Sequence, residues 1–213
     1  MRWLLVTAVF FTTLSAAQAE VRGWNFRVLL DEREVGRHQF TLRADGETRE
    51  LRSEMRLDVR MLIFSAYQYQ HEAVERWNGD CLQSLAALTQ TNGEPQTVSA
   101  AAQGGRLVVE RTEGRVEHDG CVMSFAYWNP RILKARRLLN AQTGELLPVN
   151  VRFQGEEQLE VRERLLSARR YRISAPNLEI DVWYAGESWV ALEALASGGR
   201  RLRYELISKL EPQ

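Results

Sequence analysis

The side chains best suited to chemistry fall in two short stretches, His38 and the run Tyr69-Gln70-His71-Glu72-Ala73-Val74-Glu75. Both lie in segments of alternating polar and apolar residues, which predicts strands. In a strand, residues two apart share a face, so Tyr69, His71 and Glu75 point the same way, in phase with Tyr67 and Trp77. A carboxylate beside an imidazole can do acid–base work or fix the polar end of a ligand. The same positions also suit core histidines bonded to tyrosine hydroxyls or backbone, since buried polar groups are normally satisfied structurally. The residues leave both readings open.

Stronger catalytic patterns are absent. Gly186-Glu187-Ser188-Trp189-Val190 lacks the second glycine of a nucleophile elbow and precedes a strand. His71-Glu72 cannot open a zinc motif, because neighbours on a strand face opposite ways. Gly104-Gly105 and Gly198-Gly199 read as hairpin turns rather than phosphate loops. No catalytic residue, metal or other cofactor is therefore expected.

The elements that must position these residues are strands. From Trp24 onward the pattern has period two, broken at near-regular intervals by Gly-containing turns, as in a meander of hairpins. Trp24, Phe26, Val28 and Leu30 make one face of the first strand, and His38, Phe40 and Leu42 follow on the second. The third sets Leu51, Met55, Leu57, Val59 and Met61 against Arg52, Glu54, Arg56, Asp58 and Arg60, so one face of the sheet is wet. After Asn78-Gly79, Leu82, Ala86 and Leu88 are expected in phase. About a dozen strands follow from the turns. A twisted antiparallel sheet of that size curls into an open barrel or half-pipe.

One stretch breaks the pattern. Cys121 to Leu147 carries Phe125, Tyr127 and Trp128 into Asn129-Pro130, which is helix-start chemistry, with a helix expected near Pro130 to Asn140 and a stop at Gly144. We expect it to plug or cap the curled sheet, its aromatics inside and Arg131, Lys134 and Arg137 at the rim.

The first residues have the form of an export signal: Arg2, an apolar core from Trp3 to Leu14, and Ala17-Gln18-Ala19 as a cleavage motif. Residues 1–19 are expected to be removed, leaving a single β domain over 20–213 in the periplasm. No cysteine lies near the cut, which argues against a lipoprotein, and no segment has the roughly 20 apolar residues of a spanning helix. Lys and Arg together number 28, as do Asp and Glu. Such balance provides no global field for nucleic acid. Cys81 and Cys121 are the only cysteines. In an oxidising compartment they should pair, where neighbouring strand ends meet.

The order of these features resembles a family of exported proteobacterial proteins catalogued as a domain of unknown function. The resemblance rests on Trp24 to Gly36, Tyr67 to Trp77 with Asn78-Gly79, Thr91-Asn92-Gly93, Ser124 to Pro130 and Arg200 to Leu206, and spans essentially the whole mature chain. Ser124 to Arg131 followed by Gly144 is more distantly similar to the mid-chain helix of a larger secreted all-β family. The resemblance implies an antiparallel open barrel of lipoprotein-carrier-like shape and supplies no catalytic residue.

Three functions remain. The hollow could bind or carry a lipid-like apolar molecule of the cell envelope, lined by Tyr67, Tyr69, Trp77, Phe125, Tyr127 and Trp128, with His38, His71 and Glu75 as polar contacts. The chain could instead bind an envelope protein through a strand edge or the basic rim. Last, an enzyme could work through His71 and Glu75.

Overall fold

The computed structural model describes residues 19–61, 64–195 and 197–210. The export signal read over residues 1–19 lies, up to residue 18, outside them. The alternation produces strands where it was expected: β1 (Glu20–Leu30), β2 (Arg33–Asp45), β3 (Thr48–Met61), β4 (Phe64–Asn78), β5 (Cys81–Thr91), β6 (Glu94–Gln103), β7 (Arg106–Arg111) and β8 (Gly114–Asp119). After the interruption come β9 (Arg137–Leu139), β10 (Leu146–Pro148), β11 (Asn150–Val161), β12 (Arg164–Ala175), β13 (Leu178–Ala185), β14 (Ser188–Leu195) and β15 (Arg201–Leu210). Thirteen strands make one antiparallel sheet in the order β11-β12-β13-β14-β15-β1-β2-β3-β4-β5-β6-β7-β8, and β9 and β10 form a separate hairpin.

The last strand thus pairs with the first, joining two meanders edge to edge. Among the described residues their outer edges, β8 and β11, have no further strand partner, so the sheet is not closed. It is nevertheless strongly curled, because β11 touches β15 four places away. The inner face is apolar, with Phe26, Val28, Ile173 and Val182 fully buried. The outer face carries charge pairs such as Arg52 and Arg76 on Glu50. On β13, Asp181 receives both Arg170 and Arg172.

Gly36 makes one close approach possible. A Cβ there would stand 1.9 Å from the Arg56 carbonyl oxygen on β3, at a φ of 157°. Only glycine fits, beside the bulge where β1 and β2 shift register.

The interruption runs inside the curl. Its first residues already reach both halves of the sheet: the Leu82 N–H donates to the Val122 carbonyl at 2.9 Å, and the Tyr184 hydroxyl on β13 donates to the Tyr127 carbonyl at 2.7 Å. Asn129 caps as expected, its side-chain oxygen accepting the Arg131 N–H, but the helix is a 3-10 turn of five residues, Pro130–Lys134. Ala135 is already extended (φ −69°, ψ 147°), and Arg137–Leu139 of the expected helix form β9 instead. The backbone of Leu139 exchanges hydrogen bonds with Met123 and Phe125, which fixes Leu138 and Leu139 in the core as an extended segment. Arg131 stays outside, bonded to Asp80 at 3.1 Å.

Cys81 and Cys121 are joined, with Cα atoms 4.9 Å apart. They do not sit at neighbouring strand ends as expected. Cys81 opens β5 and Cys121 follows β8, three strands away in the sheet. The chain after Asp119 turns back across the sheet end, held by Gly120 N–H on the Gly105 carbonyl, and the disulfide fastens the inserted segment there.

In β5 the inward phase also differs from expectation. Leu85, Ala87 and Thr89 are buried, whereas Ala86 and Leu88 face out. A bulge opposite Arg76 and Trp77 admits one extra residue, and every later side chain changes face.

Candidate functional site

Part of the curl is left unfilled. A hollow of about 520 Å³ lies between β1–β4, β13–β15 and the inserted segment, within the roughly 300–1,000 Å³ common for ligand pockets. Its rim carries Tyr67, Gln142, Leu195 and Arg200, all exposed. Deeper in, the wall is mostly apolar, with Leu51, Met55, Ile180 and Leu192 facing Phe125, Tyr127 and Trp128 of the insertion.

The register of four strands sets the polar part. One rung across the sheet runs His38, Met55, His71, Thr89; the next Phe40, Ser53, Ala73, Ala87; the one beyond Leu42, Leu51, Glu75, Leu85. Strands lie about 4.8 Å apart with roughly 3.3 Å per residue, so the backbones of His38 and His71 are ~10 Å apart and those of His71 and Glu75 ~13 Å. The acid–base pairing of His71 with Glu75, one of the two readings the sequence left open, is therefore not formed. They share a wall, yet each is bonded elsewhere.

His71 Nδ1 is bonded to the Thr89 hydroxyl at 2.9 Å, and burial lowers its pKa to about 4. His38 is buried, and desolvation, helped by His71, holds it neutral well below the ordinary histidine range. Its ring is held at both nitrogens: Nδ1 lies 3.3 Å from the Tyr204 hydroxyl, which also stands 3.6 Å from Met55 Sδ, and Nε2 lies 2.7 Å from the Ser53 hydroxyl.

Glu75 is only 5 % exposed, and desolvation raises its pKa to about 7. The Trp77 indole N–H donates to its Oε2 at 3.1 Å. The Ser124 hydroxyl lies against the same carboxyl, close enough to favour its charged form but outside hydrogen-bond geometry. Tyr69, whose hydroxyl is pushed up by burial, likewise stands near Thr89 without a bond to it.

Eight of the nine residues singled out from sequence line the hollow: His38, Tyr67, Tyr69, His71, Glu75, Phe125, Tyr127 and Trp128. Trp77 does not. It lies behind Trp128, with ring centroids 5.7 Å apart in an edge-on contact, and supports Glu75 from below. Sequence reading missed Ser53, Met55, Asn140, Arg200 and Tyr204. Ser53 and Met55 were in phase on β3 and recognisable in principle; Tyr204 arrives only through the β15–β1 pairing.

Among the described residues, no group of three or more His, Cys, Asp and Glu could hold a metal ion, and no helix is long and apolar enough to cross a membrane. Chemically, the site offers an apolar volume, neutral imidazoles and one carboxyl of adjustable charge.

Comparison with known proteins agrees with the fold and is silent on the chemistry. A family profile described as a domain of unknown function, DUF6134, matches residues 26–207. A search of curated proteins finds no match. Among solved structures, the chain is similar to a beta-barrel-like protein of the domain of unknown function DUF1849 from Brucella abortus. The TM-score is 0.67 at 10 % identity, over 92 % of this chain and 98 % of that one. At that identity the likeness concerns the fold alone.

Proposed function

The chain belongs to the DUF6134 family, and from its hollow we propose that it is an exported, periplasmic binding or carrier protein for a lipid-like molecule of the cell envelope. The observation that supports this reading is the 520 Å³ apolar hollow, open at an exposed rim and lined by large aromatic side chains. A curled sheet that needed only stability would fill such space, because unfilled volume weakens packing. The polar groups within it are neutral or nearly so, which suits a ligand that is mostly hydrocarbon. Native mass spectrometry of gently purified protein should show a bound mass removed by detergent or organic extraction. A protein that stays empty and binds no hydrophobic probe would end the proposal. Export predicts that the mature form from the periplasmic fraction begins at Glu20.

The open edge of β11, with Phe153 58 % exposed, favours a second reading in which the chain docks an envelope protein by strand addition. That reading expects a co-purifying partner and an empty hollow.

A further inference from the structure

Glu75 is the only carboxyl among the described residues that line the hollow, and its surroundings decide which ligand oxygen it can meet. The inference rests on the lipid-binding reading above. Oε2 is taken by the Trp77 indole. Besides Trp77, the Ser124 hydroxyl lies near the carboxyl but outside hydrogen-bond geometry, and Glu75 lines the hollow, so Oε1 is the oxygen left for a ligand.

Among the described residues, no cation neutralises this carboxyl. Leu51 on β3 and Leu85 on β5 flank it, while Ser124 and Trp128 come from the inserted segment. Arg49, one rung away, is engaged by the Gly79 carbonyl at 3.4 Å and by the face of Trp128, 5.5 Å from the ring centroid. On its own strand, His71 stands four residues off and bonded to Thr89. At the rim, Arg200 is paired with Asp31 at 2.7 Å.

We propose that the hollow selects a neutral long-chain lipid carrying an ester or ketone oxygen, and that Glu75 holds that oxygen by donating its carboxylic acid proton. With Trp77 donating to Oε2, the proton of the acid form resides on Oε1, the oxygen that faces the ligand. Burial keeps this acid form populated up to about pH 7. A fatty-acid anion would lie unneutralised in the same apolar space, and wherever Glu75 is ionised it would add a second negative charge there, an arrangement that desolvation opposes.

Methyl palmitate, palmitate and hexadecylamine, added to delipidated protein carrying N-phenyl-1-naphthylamine as displaceable probe, test this. At pH 7 methyl palmitate should displace the probe about tenfold more tightly than palmitate, the worth of one well-made hydrogen bond to a buried group. Its affinity should fall about tenfold between pH 6 and pH 8.5 as the acid proton is lost. In Glu75→Gln the amide still donates, so the ester should bind with no pH dependence and palmitate should come within about threefold of it.

The inference is overturned if palmitate or hexadecylamine binds more tightly than the ester, if the wild-type affinity is flat across that pH range, or if Glu75→Gln keeps the pH dependence. Should that variant fail to fold, the wild-type ranking and pH series decide alone. If the probe and all three lipids fail to bind, the carrier reading falls and this inference with it. Equal binding of ester, acid and amine overturns the selectivity and leaves the carrier reading standing.

Discussion

The two ends of the curled sheet are built from the same alternating strands but are filled differently. Around β6, β7 and the insertion, packing is complete: Val98, Val109, Ile132, Leu138 and Leu139 are buried to 2 % or less. A Cβ on Gly144 would meet Val98, Val109 and Arg111 at 3.2–3.3 Å. Around β2–β4 and β13–β15 the inward side chains are no smaller, yet they leave the hollow. The difference comes from the inserted segment, whose disulfide and β9–β10 hairpin hold it toward one side while Phe125, Tyr127, Trp128 and the turn at residues 140–142 border the hollow on the other. One end of the molecule is thus organised by packing, and the other keeps polar groups at a boundary with free space.

Trp128 stands on that boundary, touching Trp77 and Arg49 on one side and lining the hollow on the other. Trp128→Ala should cost about 3–5 kcal/mol, the range for large buried aromatics, and enlarge the hollow. Denaturant unfolding measures the first and probe binding the second. An unchanged midpoint would mean that the segment does not hold the two ends apart.

Removing the disulfide with Cys81→Ala and Cys121→Ala should cost about 4 kcal/mol, from the loop-closure entropy of a 40-residue separation. Loss of hydrogen-exchange protection should begin in the insertion and spare β1–β3. Uniform loss would deny that the crosslink serves mainly to seat the segment.

The buried titrating groups sharpen the contrast, since His38, His71 and Glu75 all sit at the hollow. Glu75 has a raised pKa in the fold, about 7 against the usual 4.5. The unfolded chain releases this proton first, so Glu75 weakens the fold as pH rises from about 4.5 to 7, by on the order of 3 kcal/mol in all. His71 is lowered to about 4, so the unfolded chain takes up that proton first and stability falls as pH drops from 6.5 toward 4. Stability should therefore peak between these limits, on the acid side of neutrality. Glu75→Gln should gain most over wild type near pH 8 and little near pH 4.5. Parallel pH profiles for the two proteins would contradict this assignment.

Much of this wall was legible in advance, for a specific reason. Period-two alternation places His38, Tyr69, His71 and Glu75 on one face however the strands pair, and the buried inward phase of β2 to β4 follows. Alternation carries no information about insertions within a pair, so the bulge opposite Arg76 and Trp77 reversed the phase of β5, and alternation does not show that Trp128 would cover Trp77 and keep it behind the wall. Likewise Tyr204 is 166 residues from the His38 that it bonds, and only the pairing of last strand with first brings them together. Asn129-Pro130 started a helical turn as such residues do. Where it ended was decided by Leu138 and Leu139, whose burial requires an extended backbone bonded to Met123 and Phe125. Local propensity set the beginning of that element and tertiary packing its end.

Two small-to-large substitutions compare the ends directly. Ala100 on β6 is 6 % exposed and paired with Leu85 and Val109 in the packed end, whereas Ala194 on β14 lines the hollow opposite Ile180. Added methylenes in a filled core force neighbours off their rotamers, so Ala100→Leu should destabilise by about 1–3 kcal/mol. Ala194→Leu extends into free space, and its new apolar contacts should offset its cost to within about 0.5 kcal/mol of wild type. The same substitution should weaken binding of the naphthylamine probe by reducing the volume it occupies. If both variants lost equal stability, the hollow would be a packed region in solution. If Ala194→Leu kept both stability and probe affinity, the probe would be binding elsewhere, and the division between a solid end and a receptive end would lose its functional meaning.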